Sequence, residues 1–183
     1  MAVARRTLFD VLEEAQRLGA LGPRPITEVI EHARQFLPAL EHVSGRVVDI
    51  GTGAGIPGLV IAQDRPDLLI TLVDRRQTRI DALQRAVIAL GLQDRATVLC
   101  ATTQAMARET AHNGVYSAAV SRGFGSPVDT LEAVRPLLMP GGWAVVSEPP
   151  IKQTTRWPDD VLGRLGFATP LYLQGIAMFH VEH

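Results

Sequence analysis

Twelve consecutive residues, Val47-Val48-Asp49-Ile50-Gly51-Thr52-Gly53-Ala54-Gly55-Ile56-Pro57-Gly58, constrain this chain more than any other segment. A β-branched run gives way to glycines at alternate positions and then to a helix start. That order reads as a buried strand, a tight loop and a helix. Glycine reaches positive φ without a steric penalty and leaves the main chain bare, so a ligand can lie directly on it. Pro57 suits the first turn of a helix, where its missing N–H is not needed. The N–H groups of that turn face the loop and favour an anionic group. A dinucleotide fingerprint would place its third glycine at position 56, where this chain has Ile56. The pattern is instead D-x-G-x-G-x-G, on Asp49, Gly51, Gly53 and Gly55. Asp74 closes the next apolar run 23 residues after Gly51. An acid roughly 20 residues beyond such a loop accepts hydrogen bonds from the vicinal hydroxyls of a ribose. A glycine turn that only packs helix on strand would not need it.

The rest of the chain alternates. Leu8, Val11, Leu12, Ala15 and Leu18 share one face of a predicted helix over 7–18. A second helix is predicted over 26–40, with Pro38 placed to break it early. Strands are predicted at 46–50, 69–73, 96–100, 115–120 and 143–147, and helices at 57–63, 77–90 and 128–138. Met139-Pro140-Gly141-Gly142 reads as a turn before the fifth strand. A short helix near 159–165 precedes two strands, 168–173 and 176–181, whose junction at Gln174-Gly175 suits an antiparallel hairpin. Such alternation predicts an α/β fold, a mostly parallel seven-stranded sheet covered by helices on both faces. Residues 1–44 are expected to form a helical cap and 45–183 the α/β core of a single domain. In such sheets ligands sit at the carboxyl ends of the strands. The glycine loop, Asp74, the Cys100–Gln104 loop and Ser121-Arg122 all fall there.

Composition narrows the function class. A chain of 183 residues with 46% hydrophobic and 20% charged content suits one soluble globular domain. It has neither an apolar run of membrane-spanning length nor an apolar signal core at its start, which predicts a cytoplasmic protein without membrane attachment. Cys100 is the sole cysteine, so neither an internal disulfide nor a cysteine zinc cluster is expected, and no metal site is predicted. The net charge of −1 gives no global attraction to nucleic acid. Yet 17 of the 18 basic residues are arginine, the better phosphate clamp, so a local patch stays open.

With Asp49 before the loop, Asp74 after it and strand and helix on either side, the chain resembles the Rossmann-like class I S-adenosylmethionine-dependent methyltransferases. Gly-x-Gly-Ala-Gly-Ile-Pro-Gly at 51–58, Ser121-Arg122-Gly123 after the fourth strand and Met139-Pro140-Gly141-Gly142 are similar to the bacterial small-subunit ribosomal RNA guanine-N7 methyltransferases, the RsmG or GidB family. The resemblance covers roughly 30–146, and His32 lies where that family has a histidine. It implies S-adenosylmethionine as cofactor, S-adenosylhomocysteine as product and ribosomal RNA or the small ribosomal subunit as partner. It implies cofactor contacts from Asp49, Gly51, Gly53, Gly55, Gly58 and Asp74. The chain departs from the family at Ser147-Glu148-Pro149-Pro150, where Lys-Gly is usual, and at Thr102-Thr103-Gln104, where Arg-Ala-Glu is usual. It departs again at Ala33-Arg34-Gln35, after His32, and in lacking the N-terminal Asn-Leu-Thr. The cofactor half is kept and the RNA-facing half is altered.

Methyl transfer from a sulfonium is a direct displacement in which the enzyme aligns nucleophile, methyl and leaving sulfur. Guanine N7 has a free lone pair and needs no general base, as do other neutral nucleophiles. Arg122 is the candidate catalytic residue, a guanidinium able to hold a carboxylate or phosphate in bidentate fashion; the alternative is a surface ion pair. Thr103 and Gln104 are candidates for the adenine edge, or an ordinary polar loop. His32 reads as a packing histidine before a catalytic one, and Cys100 as a small hydrophobe packed at a strand end. Glu148 is either an exposed acid or a carboxylate in the substrate mouth. Trp143 and Trp157 read as core, with Trp157 the more exposed of the two. A small-molecule methyltransferase and a non-catalytic cofactor- or partner-binding relative are the competing functional readings.

Overall fold

The computed structural model describes residues 6–149 and 156–182. Pro150, at the end of the altered segment, and Lys152, the sole lysine, lie outside them.

Seven strands form one sheet: β1 (Gly45–Ile50), β2 (Leu68–Asp74), β3 (Ala96–Cys100), β4 (Tyr116–Ser121), β5 (Leu138–Ser147), β6 (Leu171–Leu173) and β7 (Ile176–His180). Their order is β3-β2-β1-β4-β5-β7-β6. The first five run parallel, while β7 is antiparallel to β5 and to β6. This is the predicted sheet with its antiparallel C-terminal hairpin. Both hairpin-turn residues have positive φ, 46° at Gln174 and 81° at Gly175, as a type I′ turn requires.

Alternation along each strand sorts side chains into two apolar layers. Val47, Ile70, Leu72, Val120 and Val145 face α1 (Leu8–Arg17), α2 (Ile26–Arg34), α3 (Phe36–Ala39), α4 (Gly58–Asp64) and α5 (Gln77–Leu90). Val48, Ile50, Ala119, Ala144 and Phe179 face α6 (Thr103–Met106), α7 (Pro127–Val134) and α8 (Asp159–Leu165). Each fully buried Val or Ile in these layers contributes about 1.5–3 kcal/mol. The N-terminal helices share the first layer through Leu12, Val29, Ala33 and Phe36. A capping box starts α1: Thr7 Oγ1 accepts from Asp10 N at 3.2 Å and Asp10 Oδ2 accepts from Thr7 N at 2.9 Å. Gly91 (φ 68°) and Gly166 (φ 69°) end α5 and α8 in the left-handed conformation.

Local departures from expectation have local causes. The predicted 26–40 helix breaks at Gln35, not at Pro38 itself, because Pro38 has no N–H to give the Arg34 carbonyl one turn earlier. The 128–138 helix stops at Val134, and Pro136 sits in a 3-10 turn, Arg135–Leu137. The segment 139–142 is a tight irregularity inside β5, not a separate turn. Pairing slips there from Tyr116↔Leu138 to Ala118↔Trp143. A Cβ on Gly142 would stand 2.9 Å from the Met139 carbonyl, which only glycine avoids. The segment read as the Cys100–Gln104 loop instead ends in the short helix α6, which starts at Thr103 and is capped by Thr102 Oγ1 on Ala105 N at 3.2 Å. Pro170 cannot donate to a ladder, so β6 begins at Leu171, three residues later than expected, after an isolated Phe167↔Val181 bridge. Among the described residues no helix is long and apolar enough to cross a membrane.

Candidate active site

From β1 the chain moves to β2 on one side and later returns to β4 on the other, so the carboxyl ends of β1 and β4 flank the topological switch point. The glycine loop lies there, with Gly51, Gly53 and Gly55 at φ 63°, 60° and 92°. The four motif glycines divide into two pairs. Gly51 and Gly53 reach the surface; Gly55 and Gly58 are buried. A Cβ on Gly55 would strike Leu59 and stand 2.9 Å from Leu83, and one on Gly58 would strike Leu72 and stand 2.7 Å from Asp49 Oδ2. The first pair presents bare backbone, and the second lets α4 press onto β2.

Asp49 holds the loop from below. Its Oδ2 accepts from Thr52 Oγ1 at 2.6 Å and from Gly58 N at 2.8 Å, while Oδ1 has no partner among the described residues. The carboxyl is fully buried, and burial pushes its pKa up to about 7, against the Thr52, Gly58 and Arg122 contributions that lower it; Asp74 adds to the rise. Asp49 pairs in register with Val120, and Arg122, just past the end of β4, is close enough for the two charges to act on each other. Burial lowers the Arg122 pKa, Asp49 raises it and Arg24 lowers it. The pKa of His32, on α2, is lowered by burial and then by Arg122 and Arg24, and the buried His32 Nδ1 lacks a partner among the described residues. Arg122 is thus the common electrostatic neighbour of Asp49 and His32. Ser121, one residue earlier, faces the layer opposite Val120, and its buried Oγ is also unpartnered among the described residues. A buried polar atom without a partner costs about 1–3 kcal/mol, and two of these, on Asp49 and His32, share Arg122 as a charged neighbour.

Asp74, 5% exposed, ends β2 beside the loop. Its Oδ2 accepts from Gly53 N at 3.2 Å and Arg79 Nη1 at 3.1 Å, and its Oδ1 from Arg76 N at 3.0 Å. A carboxylate has about four lone-pair sites, so a diol needs Arg79 to yield or share. Thr103 turns inward and is buried, whereas Gln104 is exposed on the same helix. The polar groups offer complementary chemistry: the Asp74 carboxylate can accept from a diol, the Arg122 guanidinium can donate to a carboxylate, and Asp49 Oδ1 can accept from an ammonium.

Elsewhere the sequence reading is corrected. Cys100 is exposed, not packed, with Sγ 3.8 Å from the Arg75 carbonyl. Trp157 is buried (5% exposed) against Phe179, and Trp143 is the more open tryptophan. Glu148 is neither a free acid nor an open one: its Oε1 accepts from Trp157 Nε1 at 2.8 Å and Arg156 Nη1 at 3.3 Å. Sequence reasoning passed over Thr52, Arg24, Arg79 and Phe124. Arg79 alone had a positional signal, one turn into the helix that follows Asp74.

A groove of about 510 Å³ runs between α1 and α5 and ends at Gly53-Ala54. Arg6, Arg76, Arg79 and Arg85 line it over an apolar floor that includes Leu83 and Ala86. Arg6 is tied to Glu14 and Arg79 to Asp74.

Ribosomal RNA small subunit methyltransferase G of Rubrobacter xylanophilus is 33% identical over 154 residues, covering 78% of this chain and 59% of that protein. The protein of the same name from Novosphingobium aromaticivorans is 38% identical over 134 residues, covering 69% of this chain and 55% of its own. The chain therefore spans little more than half the length of these curated relatives. A methyltransferase structure from Geobacter sulfurreducens superposes with a TM-score of 0.66 at 14% identity, covering 95% of this chain and 87% of that one, a likeness of fold. Residues 9–148 match the family described as GidB, rRNA small subunit methyltransferase G. On that match, which takes in the glycine loop, Asp74 and Arg122, the chain belongs to the GidB family of small-subunit ribosomal RNA methyltransferases.

Proposed function

We propose that this protein is a cytoplasmic S-adenosylmethionine-dependent methyltransferase that modifies small-subunit ribosomal RNA at N7 of a guanine. In this reading residues 1–44 cap a single unit formed by 45–183. The observation that supports the cofactor assignment is the Asp49 Oδ1, unmatched among the described residues and within the field of Arg122, with Asp74 beside Gly51 and Gly53, which reach the surface. When bound, S-adenosylmethionine supplies an electrophilic methyl group on a sulfonium. Asp74 binds the ribose hydroxyls, Asp49 the ammonium and Arg122 the carboxylate. Gly51 and Gly53 let the cofactor lie on the main chain, while Gly55 and Gly58 keep the loop rigid. Thr103 and Gln104 flank the adenine side. With N7 as nucleophile no residue has to remove a proton, which suits a site whose histidine, His32, is kept neutral by burial and two arginines.

Family membership and the arginine-lined groove that ends at the glycine loop support an RNA substrate over a small molecule. Glu148, which would repel phosphate if free, is matched by Arg156.

Calorimetry with S-adenosylmethionine tests the cofactor assignment. Binding is expected, and Asp74→Ala should weaken it about 100-fold, the worth of two hydrogen bonds to a carboxylate at about 1.5 kcal/mol each. Absent binding by the unaltered protein would overturn the enzyme reading. Labelled methyl transfer to ribosomal RNA and to 30S subunits tests the acceptor, and a cofactor-binding protein that labels neither would exclude RNA.

A further inference from the structure

Phe124 is a large apolar side chain that the core does not use. It is 38% exposed in the segment that joins β4 to α7. Its ring rests on the glycine loop: a Cβ added to Gly51 would stand 2.8 Å from Phe124 Cδ2. Gly51 follows β1 and Phe124 follows β4, and these two strands flank the switch point. The ring therefore reaches across the mouth of the ligand crevice, two residues beyond Arg122.

Its tether is unusual. Gly123 lies at φ 68° with open space where a side chain would be, and Gly125 is exposed. Beyond them Ser126 caps α7, its Oγ accepting from Asp129 N at 3.2 Å. An aromatic ring is thus carried between two glycines on an arm fixed at one end by the sheet and at the other by a helix cap. No side chain on Gly123 or Gly125 braces the ring.

We propose that Phe124 is the stacking platform for the methyl-accepting base, its ring face meeting a purine presented at the mouth of the crevice. The proposal rests on the RNA reading above. A flat apolar ring gives a base a π-face with no hydrogen-bond requirement, and such contacts in single-stranded nucleic acid recognition change affinity by about 5- to 150-fold on alanine substitution. Arg122 and Asp49 stay engaged with the cofactor while Phe124 acts on the acceptor.

The test compares the full chain with Phe124→Ala, Phe124→Leu and Phe124→Tyr, using a ribosomal RNA fragment as acceptor. An exposed side chain should leave the unfolding midpoint of each variant near that of the unaltered protein. Phe124→Ala is expected to raise KM for RNA about 5- to 150-fold and to leave the dissociation constant of S-adenosylmethionine unchanged. Tyrosine should restore KM and leucine should not, since leucine supplies apolar volume without a ring face. A Phe124→Trp variant should show emission quenched by the RNA fragment and not by cofactor alone, once the signal of Trp143 and Trp157 is subtracted. Full rescue by leucine, an unchanged KM in Phe124→Ala, or a matching loss of cofactor affinity would overturn the stacking role. If the unaltered protein labels no RNA, the RNA reading fails first and takes this proposal with it.

Discussion

Replacing Asp49 with asparagine should make the protein more stable at pH 8 and a poorer cofactor binder. The carboxyl ionises near 3.8 in an unfolded chain and at about 7 in the folded one. Between those values the folded state holds a proton that the unfolded state has released, so stability falls as pH rises. Below 3.8 there is no penalty, and above about 7 it is complete. Each unit of displacement is worth 1.36 kcal/mol, so the full penalty is about 4 kcal/mol and the part acquired between pH 5 and 7 about 3 kcal/mol.

Asparagine carries no charge at either pH. Its amide oxygen can accept from Thr52 Oγ1 and Gly58 N, as Asp49 Oδ2 does now. Its NH2 group then stands where Oδ1 has no partner, a cost of about 1–3 kcal/mol. That cost is the same at both pH values and cancels from the comparison. Thermal unfolding followed by circular dichroism at pH 5 and pH 8 should therefore show the midpoint of Asp49→Asn gaining about 6–12 °C on the unaltered protein between the two conditions. Calorimetry should show cofactor binding by the unaltered protein strengthening as pH rises through 7, and binding by the variant weak and flat. A midpoint difference independent of pH, or one that moves the other way, would refute a buried carboxylate retained for its charge.

Gly58→Ala should lower stability by about 1–3 kcal/mol through overpacking against Leu72 and Asp49, whereas Gly163→Ala, in open space within α8, should raise it by about 0.5–1 kcal/mol; urea unfolding of the pair separates the two effects. Arg76→Ala with Arg85→Ala should weaken binding of a ribosomal RNA fragment and reduce the slope of log affinity against log salt by about 1.4, two single-strand phosphate contacts at about 0.7 each, and an unchanged slope would remove the α1–α5 groove from the RNA path. Trp157→Phe takes from Glu148 its 2.8 Å indole donor and should cost about 1.5–3 kcal/mol, the range for a hydrogen bond to a charged acceptor, visible as a lower unfolding midpoint.

The fold was legible where one residue decides a local event. The run 77–90 with Gly91 behind it defined α5 to the residue, because apolar spacing and a left-handed stop agree there. Gln174-Gly175 similarly marked the hairpin. Element bounds shifted for local reasons at Pro38, Pro136 and Pro170, whereas side-chain exposure was not legible where tertiary packing decides it. Nothing near Trp157 announces Phe179 or Glu148, so an arginine next to it suggested exposure. Cys100 ends β3 next to Asp74 of β2, and its exposure follows from where the sheet stops. The candidate site was legible as a set of motif positions, but the motif hid a division of labour. Gly55 and Gly58 answer to the buried Leu59, Leu83 and Leu72, whereas Gly51 and Gly53 reach the surface, with Phe124 over the first and Arg79 near the second. Phe124 carries no motif, and its position over Gly51 emerges only when β1 and β4 become neighbours.

The Asp49 Oδ1, unpartnered among the described residues, shows why that division matters. A fold selected for stability alone would fill the layer beneath the loop with a side chain needing no partner, since removing a buried, mismatched charge is commonly neutral or stabilising. Here Asp49 stays, half-satisfied, within the field of Arg122. The two charges do not close into an ion pair that would cancel the need for a ligand; each instead shifts the other's titration from within a buried site. A ligand that brings both an ammonium and a carboxylate meets an acceptor and a donor already fixed in place, and the cost of holding them apart is borne by the folded protein before binding. Such preorganisation favours a zwitterionic amino-acid group over a simple anion, which would find Arg122 attractive and Asp49 repulsive. On the proposed reading, the two charges at the carboxyl ends of β1 and β4 tune this glycine loop, which lacks the dinucleotide fingerprint at Ile56, toward the methionine end of the sulfonium cofactor.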